Sequence, residues 1–261
     1  MIIQDLPKFE TEKELFDHIV KEEDAIFTQA KMQLKKADGF GFTPKLLKKE
    51  FSEKGASVDD LLAKDVLEAT LIINTTNVID SHKDLHIPGL WDKSLKENKR
   101  VLHLEEHKRG FANIISKGED LKAYTETVTW KSLGFDMEGK TEALTFDSNI
   151  RKNQHAFMHE QYAKGYVDEH SVGMQYVKMA TCINDEDYPV QKENWDKYIK
   201  LAANPEVLGK EKLFWAITEA KVIEGSAVPL GSNSFTPTQS IKQEPTKEET
   251  NKSDFLNWCK S

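Results

Sequence analysis

The sequence predicts an α+β protein with a helical arm in front and a disordered tail behind. Three observations lead there. Residues 9–36, from Phe9-Glu-Thr-Glu through Met32-Gln-Leu-Lys-Lys, space their apolar side chains as a helix does. The runs Ala69-Thr-Leu-Ile-Ile-Asn-Thr-Thr-Asn-Val-Ile-Asp80 and Leu213-Phe-Trp-Ala-Ile-Thr-Glu-Ala-Lys-Val-Ile-Glu224 are rich in β-branched and aromatic residues, which suit a strand. From about residue 236, Thr, Pro, Gln, Lys and Glu take over, a composition that buries too little apolar surface to order itself.

Thr11 and Glu14 have the spacing of a capping box at the start of the first helix. Ala37-Asp-Gly-Phe-Gly-Phe-Thr-Pro44 breaks the pattern with two glycines and a proline, and a second short helix is expected near 44–64. Residues 1–65 therefore read as an appended helical extension. The strand at 69–80 enters a turn, and Pro88-Gly-Leu-Trp-Asp-Lys-Ser-Leu-Lys-Glu-Asn98 reads as a short helix. Val101-Leu-His-Leu104 follows as a strand ending at Glu105-Glu-His107, with further strands at 111–117, 121–130 and 143–146. A helix over 148–163 leads into the extended segment Gly165-Tyr-Val-Asp-Glu-His-Ser171-Val-Gly173-Met174. Residues 182–212 are polar, helical in spacing and look inserted before the last strand, which Gly225 closes. The tail, 236–261, ends in Phe255-Leu-Asn-Trp258, an apolar motif suited to docking, and the chain shows no internal repeat.

Composition narrows the function. The 261 residues suffice for one sizeable core. A formal charge of −8 and a pI near 5.6, with both signs interspersed, argue against a nucleic-acid partner. No apolar run approaches the roughly 18 residues of a membrane span, and Met1-Ile-Ile-Gln-Asp-Leu-Pro7 lacks the regions of a signal peptide. Cys182 and Cys259 stand far apart without CxxC spacing. That suits a reducing cytosol and offers neither a disulfide framework nor a zinc knuckle.

Ser171 and Gly173 interrupt a segment where a purely structural strand favours bulky residues. A small hydroxyl beside a permissive glycine suits a nucleophile that a substrate carbonyl approaches closely. Such a nucleophile needs an imidazole to take its proton. His107 ends a strand and opens a loop, a place for either a base or an ordinary turn histidine; His170, adjacent to Ser171, points to the opposite face of the strand. A metal reading competes, since His82 and His86, His103 and His107, and His155 and His159 each have HxxxH spacing. The first two pairs fall on a turn and a strand, where that spacing does not align two rings. Glu105-Glu106 and Asp185-Glu-Asp187 read as solvated charge, and there is neither a Gly-rich phosphate loop nor a GxSxG elbow.

Four segments in order resemble the tailed-phage prohead maturation proteases. They are Asn77-Val-Ile-Asp80-Ser-His-Lys-Asp84-Leu-His-Ile-Pro88-Gly89-Leu-Trp, the strand Leu102-His-Leu-Glu-Glu-His107, Gly165-Tyr-Val-Asp-Glu-His-Ser171-Val-Gly173-Met, and Val222-Ile-Glu224-Gly-Ser226-Ala-Val228-Pro. Together they cover about residues 66–235, the expected protease domain, which would include the 182–212 insertion. The resemblance implies a compact, partly closed β-barrel wrapped by helices, similar to that of herpesvirus assembly proteases. It implies a serine endopeptidase without a cofactor, packed inside the immature capsid in the host cytoplasm. The substrates it implies are the scaffold protein or the scaffolding segment of the major capsid protein, with the enzyme's own flanks, and it allows a homodimer.

Carried over by motif, Ser171 is the nucleophile, His107 the general base and Glu224 the orienting carboxylate, with Glu219 on the same strand as its competitor. Arg109, near the base, is either an oxyanion partner or an ordinary loop cation. The chain departs from the family at Gly225, where an aliphatic residue is usual, and at Gly231-Ser-Asn233, where Pro-Ala-Asn is usual. The rival readings are a non-enzymatic capsid scaffold or adaptor and a metal-dependent hydrolase.

Overall fold

The structure, a computed structural model, describes residues 7–36, 57–98, 100–231 and 233–242. The chain opens with α1 (Glu12–Lys21), where Thr11 and Glu14 close the expected capping box, and α2 (Glu23–Met32). A two-residue strand β1 (Lys35–Lys36) follows. α3 (Val58–Ala63), capped by Ser57, precedes β2 (Val66–Thr75), β3 (Asp84–His86), α4 (Asp92–Glu97) and β4 (Leu102–Glu105). Then come β5 (Ile114–Lys117), β6 (Leu121–Thr129), β7 (Lys140–Arg151) and α5 (Ala156–Ala163). β8 (His170–Ile183), α6 (Pro189–Tyr198), β9 (Leu213–Ala227) and β10 (Thr238–Lys242) complete it.

The strands make two sheets. The larger runs β1-β8-β9-β4-β5, with β3 parallel to β9; the smaller runs β10-β2-β7-β6. β4 is also parallel to β9, so the long strand β9 lies between β8 on one side and β3 and β4 on the other. Leu71, Ile73, Leu144 and Phe146 of the small sheet share one apolar core with Val172, Met174 and Val222 of the large one. The α+β class holds. The partly closed barrel does not appear: the described strands form two separate sheets and close no barrel. No described helix is long and apolar enough to cross a membrane.

Four boundaries differ from the sequence expectation, each for a packing reason. The front helices are not an appendage: Phe16, Ile19 and Ala30 are buried in the main core, and the Phe27 ring meets Trp215 edge-on at 6.1 Å. Of the helix expected near 44–64 only its end, α3, falls among the described residues. The helix expected over 148–163 begins at Ala156, because β7 continues to Arg151 in register with Val66 at the start of β2. The tail does not begin at 236: β10 pairs with β2, Ile241 is buried, and the Thr238 hydroxyl donates to the Val167 carbonyl at 2.7 Å. Residues 243–261, with the Phe255–Trp258 motif and Cys259, lie outside the described residues.

The 182–212 segment is a helical connection between β8 and β9 with a core of its own. Trp195 and Leu208 pack on Cys182, Phe214 and Ala216, and on Ile79 and Leu85. Asn204 ties it to the entry segment, accepting from the Ile79 amide at 2.8 Å and donating to the Ile79 carbonyl at 3.0 Å.

Candidate active site

Alternation along strands sorts the large sheet into two faces. Gly225 looks into the core: a Cβ there would stand 2.6 Å from Phe146 and 2.8 Å from Ile73. The small residue where the resembled family has an aliphatic one is thus filled by a phenylalanine from the opposite sheet. Its neighbours Glu224 and Ser226 face away from that core. In the β8–β9 ladder Ser171 is opposite Ser226 and Gly173 opposite Glu224, which puts all four positions on the outer face.

His107 reaches that face through an unusual turn. Glu106 and His107 both have left-handed backbones, with φ of 47° and 56°. Such a conformation costs a residue other than glycine about 1–3 kcal/mol, so surrounding bonds must hold it. The Glu106 amide donates to the Ala227 carbonyl at 3.0 Å, the Lys108 amide to the Glu105 carbonyl at 2.9 Å, and the His107 amide to the Ser226 hydroxyl at 3.0 Å. The chain therefore curls at the end of β4 and returns its imidazole over β9.

The three side chains converge. His107 Nδ1 lies 2.6 Å from Glu224 Oε1, and His107 Nε2 lies 2.9 Å from Ser171 Oγ. A carboxylate only accepts, so Nδ1 carries the proton and Nε2 is left to accept from the serine hydroxyl. Glu224 spends its second oxygen on Ser226, whose hydroxyl donates to Oε2 at 2.6 Å while accepting from the His107 amide. Ser171, His107 and Glu224 are 2%, 4% and 1% exposed, so the series sits where water screens charge weakly.

Gly173 is what lets the carboxylate lie there. A Cβ at that position would fall 1.9 Å from Glu224 Oε1 and 2.6 Å from its carboxyl carbon. The sequence reading gave the glycine to substrate approach; its observed task is to admit Glu224 across β8. Ser226 was not anticipated as a site residue. Its signal was present in Glu224-Gly-Ser226, since residues two apart on a strand share a face.

The remaining candidates lie elsewhere. Glu219 is paired with Lys178 at 2.5 Å and Lys93 at 3.4 Å, and the Lys178 contact first, then Lys93, holds its carboxyl below the usual range. Arg109 is exposed in the loop beyond His107. His170 faces the core, as alternation requires, with its Nδ1 against the Thr236 carbonyl at 3.0 Å. Members of the HxxxH pairs have other partners. His86 bonds Asn74 at 3.2 Å and His103 bonds Ser148 at 2.9 Å, while His155 caps α5 and bonds Glu105 at 3.3 Å. Among the described residues no group of three or more His, Cys, Asp and Glu side chains is placed to hold a metal ion. Burial pushes the Cys182 thiol up, away from reactivity.

This geometry is a hydrogen-bonded serine–histidine–carboxylate series on a strand scaffold. No protein-family model, curated protein or solved structure matches the chain.

Proposed function

We propose that this protein is a serine endopeptidase of phage capsid maturation, cutting the scaffold protein or the scaffolding segment of the major capsid protein, and its own flanks. The observation that supports the reading is the hydrogen-bonded series Ser171–His107–Glu224, met at three positions that the motif resemblance singles out. Ser171 Oγ attacks the scissile carbonyl carbon as Nε2 of His107 takes its proton. The resulting imidazolium, held beside the Glu224 carboxylate, returns that proton to the leaving amine, and the carbonyl carbon stays on Oγ as an ester. Water then repeats the cycle: His107 removes its proton, the hydroxide adds to the ester, and Oγ leaves with the proton returned. The resemblance extends this reading to a kinship with herpesvirus assembly proteases and to work inside the immature capsid.

The test is co-expression with the capsid and scaffold proteins of the same genome. Processing is expected with the wild-type chain and absent with Ser171→Ala. Undiminished processing by Ser171→Ala would defeat the protease reading and favour a scaffold or adaptor.

A further inference from the structure

The two edges of β8, the strand that carries Ser171, are used differently. β9 fills one edge from His170 to Ile183. On the other, among the described residues, the only strand is β1, with Lys35 opposite Met174 and Lys36 opposite Gly173. The ladder is antiparallel, so the N-terminal segment enters beside Met174 and advances toward Ser171. The serine lies two residues past Gly173, about 7 Å along a strand.

An enzyme that cuts extended chains must hold their backbone beside its nucleophile, and a strand edge offers the amides and carbonyls to do so. Here the chain's own residues already sit on that edge. α2 delivers them: Ala30 is buried, and Ile26 and Phe27 pack on the main core. Ser171 itself is almost wholly covered.

We infer, resting on the protease reading above, that this edge of β8 is the strand to which an extended peptide substrate adds, and that Lys35–Lys36 occupies it in cis. Cleavage in trans requires β1 to leave. The fold thus holds its protease closed through the same backbone bonds a substrate would make.

The test compares the full wild-type chain with K35P/K36P, since proline removes the amides a ladder needs. Two probes are used. A fluorophosphonate reacts with an activated serine without needing a strand edge, and fluorescein-labelled casein supplies an unfolded polypeptide. Both proteins are expected to take up the fluorophosphonate at Ser171. The variant should hydrolyse casein about tenfold faster, the gain if the wild-type edge is open about one-tenth of the time. Equal or slower hydrolysis by a variant that labels fully overturns the inference and leaves the protease reading intact. A wild-type chain that shows no Ser171-dependent labelling overturns both.

Should the prolines unfold the variant, amide hydrogen exchange on the wild-type chain decides. After reaction with acetyl-Ala-Ala-Ala-Phe diphenyl phosphonate, residues 35–36 are expected to exchange faster than after reaction with the small fluorophosphonate. Equal protection in the two adducts overturns the inference.

Discussion

Two histidine networks occupy opposite faces of the same sheet, and they are built on opposite electrostatic terms. On the outer face, the ring of His107, at the end of β4, lies between a carboxylate and the Ser171 hydroxyl. On the core face, His103 of β4 and His170 of β8 are linked through Tyr162, with no carboxylate in the chain. Its proton order can be worked out. The Thr236 carbonyl accepts from His170 Nδ1, so His170 Nε2 accepts from the Tyr162 hydroxyl at 2.9 Å. Tyr162 then accepts from His103 Nε2 at 3.1 Å, and His103 Nδ1 accepts from Ser148, which accepts from Ser116 at 2.7 Å.

Every member of the core chain is neutral, and burial keeps it so. It pushes His103 well below the usual histidine range, His170 down to about 4, and the Tyr162 hydroxyl well up. The two networks thus give a buried histidine two different electrostatic surroundings. Burial alone favours the neutral ring; His107 differs from His103 and His170 in having a carboxylate within hydrogen-bonding distance of Nδ1. The core network ties β4 to β8; under the protease reading proposed above, the outer network is the one that cycles a proton.

The largest effect is expected at Ser171. Ser171→Ala is expected to lower kcat/KM by about 10⁴–10⁶-fold in a peptide-hydrolysis assay. Glu224→Gln comes next, with kcat down by about 10³–10⁴-fold. Its amide can turn an N–H toward Nδ1 and so favour the tautomer that cannot accept from Ser171. If Glu224→Gln retains near wild-type kcat, the carboxylate is not what distinguishes the two networks.

Gly173→Ala tests the same point without touching a reacting group. The added methyl overlaps Glu224 Oε1, so the carboxylate must move off His107. Small misplacements of this kind cost about a hundredfold in kcat. The expected signature is a kcat loss with Ser171 still able to react slowly with a fluorophosphonate.

Much of this site was legible in the sequence. Ser171 and Gly173 stood out as small residues in a strand, His107 as a polar residue at a strand end, and Glu224 through a motif. Alternation also put His170 on the wrong face for a base. What stayed hidden depends on contacts between distant segments. Nothing local says that β1 reaches β8, that Phe146 fills the space beside Gly225, or that Gly173 makes room for a glutamate 51 positions later. The front helices looked detached because their apolar stripes name no partner. The barrel implied by resemblance gave way to two sheets for the same reason: strand runs say where strands are, not which edges meet.

On the core side the expected effect is on stability rather than activity. Tyr162→Phe removes the hydroxyl that joins His103 to His170 and leaves an acceptor and a donor buried without partners. The expected cost is about 1–3 kcal/mol of unfolding free energy by urea titration. Activity should change by less than about tenfold, which is about 1.4 kcal/mol in the barrier. A larger fall in kcat would mean that the core chain also positions Ser171, and the two networks would then be one device.

The smallest effect concerns pH. His170 has its folded value pushed below the ordinary 6.5, to about 4, by burial. Below pH 6.5 the unfolded chain therefore takes up a proton that the folded chain refuses. Its contribution to stability is complete above about pH 6.5 and is lost as the pH falls toward 4, at about 1.4 kcal/mol per pH unit. His103 adds in the same direction, and so do His86 and His159, which burial also holds low. The total slope thus belongs to several groups, and the informative quantity is a difference. Urea unfolding of wild type and His170→Gln between pH 6 and pH 4.5 should give lines that converge, with the variant's slope smaller by about 1.4 kcal/mol per unit. Parallel lines would show that His170 already carries its proton in the fold. The Tyr162 hydroxyl would then have lost its acceptor, and the neutral core chain set against the outer network would not exist in that form.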